Sequence, residues 1–164
     1  MEHTAKLFAI TLLAIFATSC DPGYEEDMVI RNESSHIVTV IPAPYSWYNI
    51  DMDSTFSQEN KTYTLAPNEE VVIQSNGGIG SASLEEAINV FLQYYGDSVT
   101  FRFDGETGPQ TVYYRTDTTN ISPYNFNSTQ YKYEEKRHYG RWFNGHSTYG
   151  KLTFTITEEM IDNR

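Results

Sequence analysis

Leu152-Thr153-Phe154-Thr155-Ile156-Thr157 and Val99-Thr100-Phe101-Arg102-Phe103 decide the fold class. In both, a large apolar side chain takes every second position and Thr or Arg fills the gaps. One face of each segment is therefore apolar and the other wet, which is the period of a half-buried β-strand. Outward from the second stretch, Asp104-Gly105 begins a turn and Thr111-Val112-Tyr113-Tyr114-Arg115 returns as its partner. Met28-Val29-Ile30 and His36-Ile37-Val38-Thr39-Val40-Ile41 are β-branched runs around the polar Asn32-Glu33-Ser34-Ser35, a pattern that predicts a hairpin. Thr62-Tyr63-Thr64-Leu65 and Glu70-Val71-Val72-Ile73 flank Ala66-Pro67-Asn68-Glu69 as strand, turn and strand. Pro42 and Pro44 end the second strand, and Pro42 to Asn60 reads as a long polar and aromatic loop. Many short strands with one buried face predict a mainly β protein, an antiparallel β-sandwich of immunoglobulin-like layout.

One helix interrupts this pattern, over about 83–95. Ser83-Leu84-Glu85-Glu86 is a capping box, with Leu84, Ala87, Ile88, Phe91, Leu92 and Tyr95 in one apolar stripe and Gly96 as the stop. Phe91 is expected to lie deepest. Asn76-Gly77-Gly78-Ile79-Gly80, just before the helix, reads as a glycine turn. A dinucleotide fingerprint would need its third glycine where Ser83 stands.

The 164 residues carry 22 Asp+Glu against 11 Lys+Arg, a net charge of -11, which repels phosphate backbones and argues against a nucleic-acid partner. Aromatic residues make up 15% of the chain, ample for a core and inconsistent with disorder over most of its length.

The start of the chain reads as an address. Lys6 precedes Leu7-Phe8-Ala9-Ile10-Thr11-Leu12-Leu13-Ala14-Ile15-Phe16-Ala17, an apolar run of 11 residues. A bilayer span needs about 20, so the run fits the apolar core of a secretory signal. Ala17-Thr18-Ser19 supplies small residues ahead of Cys20, the only cysteine.

Together these residues resemble the lipobox of bacterial lipoproteins, with Ala17 where Leu, Val or Ile is usual. The resemblance implies that Cys20 is acylated and becomes the first mature residue. Asp21-Pro22-Gly23-Tyr24-Glu25-Glu26-Asp27 resembles the acidic stretch after the acylated Cys of surface-exported lipoproteins of Bacteroidetes. The first and last strands, around Ile30 to His36 and Leu152 to Glu159, look like those of small uncharacterised lipoproteins of the same group. The expected organisation is a signal peptide over 1–19, a flexible acidic tether over 20–27 and one sandwich domain over 28–164. The implied location is the cell envelope, as a surface-exposed outer-membrane lipoprotein held by its lipid. Asp53-Ser54-Thr55, Asp97-Ser98-Val99 and Asp117-Thr118-Thr119 resemble the O-glycosylation acceptor pattern of that group.

Constellations for catalysis are sparse. No Gly-x-Ser-x-Gly elbow occurs, and His36, His138 and His146 stand in no metal-ligand spacing. Glu134-Glu135 and Glu158-Glu159 could serve acid/base chemistry only if the fold brought partners to them. Asn49, Asp51 and Asp53 place oxygen donors at alternate positions, a spacing that can wrap calcium but that reads as solvated carboxylates; no other cofactor is expected. Tyr45, Trp47 and Tyr48, with Trp142 and Phe143, are the more suggestive group, because aromatic faces on loops stack on sugars or anchor a protein partner. Closure of the sandwich ends by the two tryptophans is the structural alternative. Arg137, His138 and Arg141 read as surface charge balance. The expectation is a noncatalytic module that binds glycan or protein. The alternatives are a structural or assembly component of an envelope complex and, behind it, a hydrolase.

Overall fold

The computed structural model describes residues 23–49, 54–58, 60–79, 82–139 and 146–162. Strands take 49% and helix 13%, in two packed four-stranded sheets with two helices, so the mainly β sandwich is as expected. In chain order the elements are β1 (Gly23–Asn32), β2 (Val38–Pro42), β3 (Tyr45–Asn49), β4 (Ser54–Gln58), β5 (Tyr63–Leu65), β6 (Glu70–Ile79), α1 (Leu84–Tyr95), β7 (Ser98–Phe103), β8 (Gln110–Tyr114), β9 (Tyr131–Tyr139), β10 (His146–Ile156) and α2 (Glu159–Asp162). The first sheet runs β6-β1-β10-β9 and the second β5-β2-β7-β8, with β3-β4 as a separate pair.

The decisive alternations hold. Val99, Phe101 and Phe103 on β7 and Leu152, Phe154 and Ile156 on β10 are all 0% exposed, and the Phe101 and Phe154 rings stack at 6.0 Å across the two layers. β7 and β8 pair as expected, and the turn between them places Asp104 and Gly105 at positive φ (56° and 89°), a backbone that Gly adopts freely and Asp tolerates. On α1 the Ser83 hydroxyl accepts the Glu86 N–H and Gly96 closes the last turn at φ 63°. The buried stripe is Ala87, Val90, Phe91, Tyr94 and Tyr95, while Leu84, expected in it, is 45% exposed. Its first-turn position reaches past the edge of the core. A second helix, α2, was not foreseen; it buries Met160.

Four further expectations are corrected. The sandwich is not wholly antiparallel: β1 pairs with β10 in parallel, from Tyr24↔Thr148 to Asn32↔Ile156. β1 and β2 are not a hairpin but lie in different sheets, because the connection 33–37 crosses between layers, and β5 and β6 separate in the same way. Both crossings converge on buried Asn32. Its Nδ2 donates to His36 O (2.7 Å) and Leu65 O (3.2 Å), and its Oδ1 accepts from Ser34 N–H (3.0 Å) and Ser34 Oγ–H (2.7 Å). Third, the tether ends earlier than position 27. β1 starts at Gly23 and has ladder partners on both sides, so Gly23 to Asp27 is sheet. Asp27 supports this by accepting from Ser75 Oγ (2.5 Å) and Tyr149 Oη (2.8 Å). Fourth, Asn76 to Ile79 is not a turn but the end of β6. Gly78 allows close approach there, since a Cβ would lie 3.0 Å from the Tyr24 ring.

Candidate functional site

Most of the expected loop Pro42 to Asn60 is a hairpin, β3–β4, which corrects its assignment as irregular chain. Alternating aromatic and polar residues obscured it, with two prolines just upstream. Tyr45 is registered opposite Gln58, Trp47 opposite Phe56, Tyr48 opposite Thr55 and Asn49 opposite Ser54. The expected binding aromatics Tyr45, Trp47 and Tyr48 are thus brought onto one strand, with Phe56 as a fourth aromatic that the sequence reading missed. The other members of the expected sites, Cys20, Asp51, Asp53, Trp142 and Phe143, lie outside the described residues. Among the described residues no group of three or more His, Cys, Asp or Glu side chains is arranged to hold a metal.

The base of the hairpin is fixed to the domain at both ends. On entry, the Ala43 N–H donates to Ser98 O at 2.8 Å. On exit, Asn60 Nδ2 lies 3.4 Å from both Ala43 O and Gln93 O, and the Tyr94 hydroxyl donates to Lys61 O at 2.8 Å. Gly96 completes the joint: a Cβ there would sit 2.7 Å from Ala43 O. The last turn of α1 and the start of β7 therefore carry the hairpin, and neither four-stranded sheet pairs with it.

A second polar feature lies under the first turn of α1. There the inner face of the first sheet, apolar from Met28 onward, turns polar. Glu26 is 0% exposed and Thr148 is 4% exposed, and Thr148 Oγ1 accepts the Ala82 N–H at 3.0 Å. Glu26 Oε1 accepts from the Tyr133 hydroxyl at 3.0 Å, while Oε2 has no partner among the described residues. Gly150 makes room for this bond, since a Cβ would fall 2.6 Å from Tyr133 Oη and 3.1 Å from Glu26 Cγ. Burial pushes the Glu26 carboxyl above its ordinary range; the Tyr133 hydroxyl and Ser83 N–H pull it down, and the Glu86 charge adds a small upward push. The alternation Glu26, Met28, Ile30 was the signal that Glu26 faces inward, and the acidic run around it masked that signal.

A carboxyl with a raised pKa in the folded state binds its proton more tightly there than in the unfolded chain. Its contribution is therefore most favourable below the ordinary carboxyl range and is lost as pH rises through that range towards the folded value. Glu26→Gln removes the titration. Melting temperatures from pH 4 to pH 8 should show wild type losing ground to the variant as pH rises above the ordinary carboxyl range and then levelling off; parallel profiles throughout would contradict a buried Glu26 with a raised pKa.

The remaining carboxylates named from the sequence are engaged. Glu134 pairs with Lys132 at 2.6 Å, Glu135 with Arg137 at 3.0 Å, and Glu158 accepts the Ser35 N–H at 2.5 Å. His36 sits between Asp104 (2.5 Å) and Glu158 (3.5 Å), and the Asp104 hydrogen bond is the main cause that raises its pKa. This polar tie joins the first crossing, the β7–β8 turn and the start of α2. Comparison with protein-family models, curated proteins and solved structures finds no match for this chain.

Proposed function

We propose that this chain is a lipid-anchored, noncatalytic binding module of the cell envelope, exposed at the surface, that recognises glycan through the β3–β4 hairpin on an immunoglobulin-like two-layer body. The observation that carries this reading is the hairpin itself. Tyr45, Trp47, Tyr48 and Phe56 stand on ten residues that pair with neither main sheet yet are fixed at their base. Flat aromatic faces beside Ser, Thr, Asn and Gln are the chemistry that stacks on sugar rings and bonds their hydroxyls.

The anchor is read from the leader and Cys20. Only Asp21 and Pro22 separate Cys20 from β1, about 10 Å of chain, so the acylated domain would stand close to the bilayer. Each buried methylene adds roughly 0.8 kcal/mol, which makes two or three acyl chains a durable hold. The end of β9 and the start of β10 lie at the sheet end where β1 begins, which would be the membrane side, whereas the β3–β4 hairpin pairs with neither main sheet. Trp47 is accordingly the aromatic to test first.

A second reading, an assembly component that pairs through a sheet edge, is favoured by β6. Val71 to Ile79 carries no charged side chain, whereas the opposite edge strand β9 carries Lys132, Glu134, Glu135, Lys136 and Arg137. A glycan array probed with the full chain, with mass spectrometry of its N-terminus, tests the leading reading. Retention on defined glycans and an acylated Cys20 are expected. A silent array with a stoichiometric protein partner would favour the second reading, and an unmodified intact start would remove the anchor.

A further inference from the structure

Alternation fixes which side chains look outward from the second sheet. Val38 and Val40 on β2, and Val99, Phe101 and Phe103 on β7, are buried on the inner side, so Thr39, Ile41, Ser98, Thr100 and Arg102 stand on the outer one. The ladders set these residues in rows. Arg102 stands between Thr39 and Gln110, Thr100 between Ile41 and Val112, and Ser98 beside Tyr114. Val112 is 37% and Tyr114 57% exposed, so the β8 side of the face is open to solvent. The helices are engaged elsewhere: α1 packs on β1 and β10, and α2 meets β8 through Thr111, which alternates to the inner side. None of these residues belongs to the β3–β4 hairpin, so the face is independent of the hairpin's role.

The charge pattern of this face is unusual for the chain. Acids outnumber bases 22 to 11 over the whole sequence, yet the three rows hold no carboxylate and one cation, Arg102. No hydrogen bond or ion pair engages the Arg102 guanidinium among the described residues. Its neighbours are neutral hydrogen-bonding groups. The Gln110 amide lies on one side, and on the other the Thr39 hydroxyl shares a 3.2 Å hydrogen bond with the Thr64 hydroxyl and keeps further capacity. β2 and β7 are inner strands of the sheet, with their main-chain groups taken up by the ladders, so recognition here falls to side chains. A guanidinium fork without a carboxylate of its own matches one brought from outside.

We propose that this face binds a short oligosaccharide bearing a single carboxylate, with the acid group forked on Arg102 between Thr39 and Gln110, the middle ring over Thr100 and Val112, and the far ring stacked on Tyr114. Ser98, beside Tyr114, is four residues from Arg102, about 13 Å along β7, a span that three linked pyranoses cover. Pyranose rings offer apolar faces for Val112 and Tyr114 and hydroxyls for the Thr and Gln groups between them. Other occupants fit less well. A peptide gains affinity by adding its main chain to a sheet edge, which an outer face does not present. A second copy of the chain would bring the same carboxylate-free face to Arg102. The net charge of -11 repels polyanions, which makes one carboxylate, and not a string of them, the matching ligand.

Isothermal titration of the full chain with aldotriouronic acid, neutral xylotriose and the peptide acetyl-Ala-Glu-Ala-amide tests the site. Saturable one-to-one binding of aldotriouronic acid is expected, with xylotriose and the peptide at least tenfold weaker. Arg102→Gln should weaken the acid at least tenfold, the scale of a lost hydrogen bond between charged groups, and Tyr114→Ala about fivefold, the scale of a lost ring contact. Both variants should melt within about 2 °C of wild type, because neither side chain is part of the core. Trp47→Ala should bind aldotriouronic acid as wild type does, which separates this face from the hairpin. Absence of saturable binding, xylotriose or the peptide binding equally well, or unchanged affinity in Arg102→Gln or Tyr114→Ala would each overturn the assignment. Loss of binding in Trp47→Ala with Arg102→Gln unaffected would also overturn it, while leaving the hairpin reading intact.

Discussion

Phe154→Ala is expected to lower the free energy of unfolding by about 4 kcal/mol, in the middle of the range for deleting a buried aromatic ring. Phe154 is 0% exposed and its ring meets three elements besides its own strand: Phe101 of β7 at 6.0 Å, Tyr131 of β9 at 5.0 Å and Tyr95 of α1 at 6.2 Å. These neighbours come from both sheets and the helix, so no single element can move in to fill the space. The strain-free collapse that makes some core deletions mild is therefore closed off. Urea unfolding should show an earlier midpoint at unchanged slope, and a melting temperature roughly 10 °C lower for a domain of this size. Tyr114→Ala, at a residue 57% exposed, is the control and should change stability by less than about 0.5 kcal/mol. Equal effects at the two positions would contradict the placement of the core.

Asn32→Ala should cost nearly as much, about 3 kcal/mol, for a different reason. The side chain makes four hydrogen bonds in a site where Asn32 is 0% exposed, each contributing about 0.5–1.5 kcal/mol net. The backbone of Asn32 adds a bond to Glu69 O at 2.9 Å and accepts one from Asn68 N–H at 2.8 Å. One residue thus joins the crossing after β1 to the crossing before β6. Its loss leaves Leu65 O and the Ser34 hydroxyl to find water in a closed space. Asn32→Asp keeps the size and the acceptor but loses the two donations, so it should recover little of the deficit. Urea melts of both variants decide this, and a fully stable Asn32→Asp would show that the acceptor side alone matters.

What the sequence made legible follows from range. Alternation in β7 and β10 and the capping box of α1 are local signals, and each appears in the structure where its residues placed it. Pairing was not legible, because the partner of β1 is more than a hundred residues away and nothing in Met28-Val29-Ile30 distinguishes a parallel neighbour from a hairpin one. Asn32-Glu33-Ser34-Ser35 has the composition of a tight turn, and only the buried role of the Asn32 amide makes it a crossing between layers. β9 was hidden by its charges, since Lys132 to Arg137 carry the polarity of a loop on a strand that lies at a sheet edge. The candidate site was legible in its residue types, Tyr45, Trp47 and Tyr48, but not in its form.

A paired determination on Trp47→Ala tests the central claim, that the aromatic hairpin serves recognition and not the core. The full-length variant and wild type should be compared for binding to the best glycan from the array and for melting temperature. Loss of at least tenfold in affinity with a melting temperature within about 2 °C of wild type is the predicted result, because substitutions outside a core change stability little. A variant that melts far below wild type, or one that binds the glycan as tightly, would contradict it.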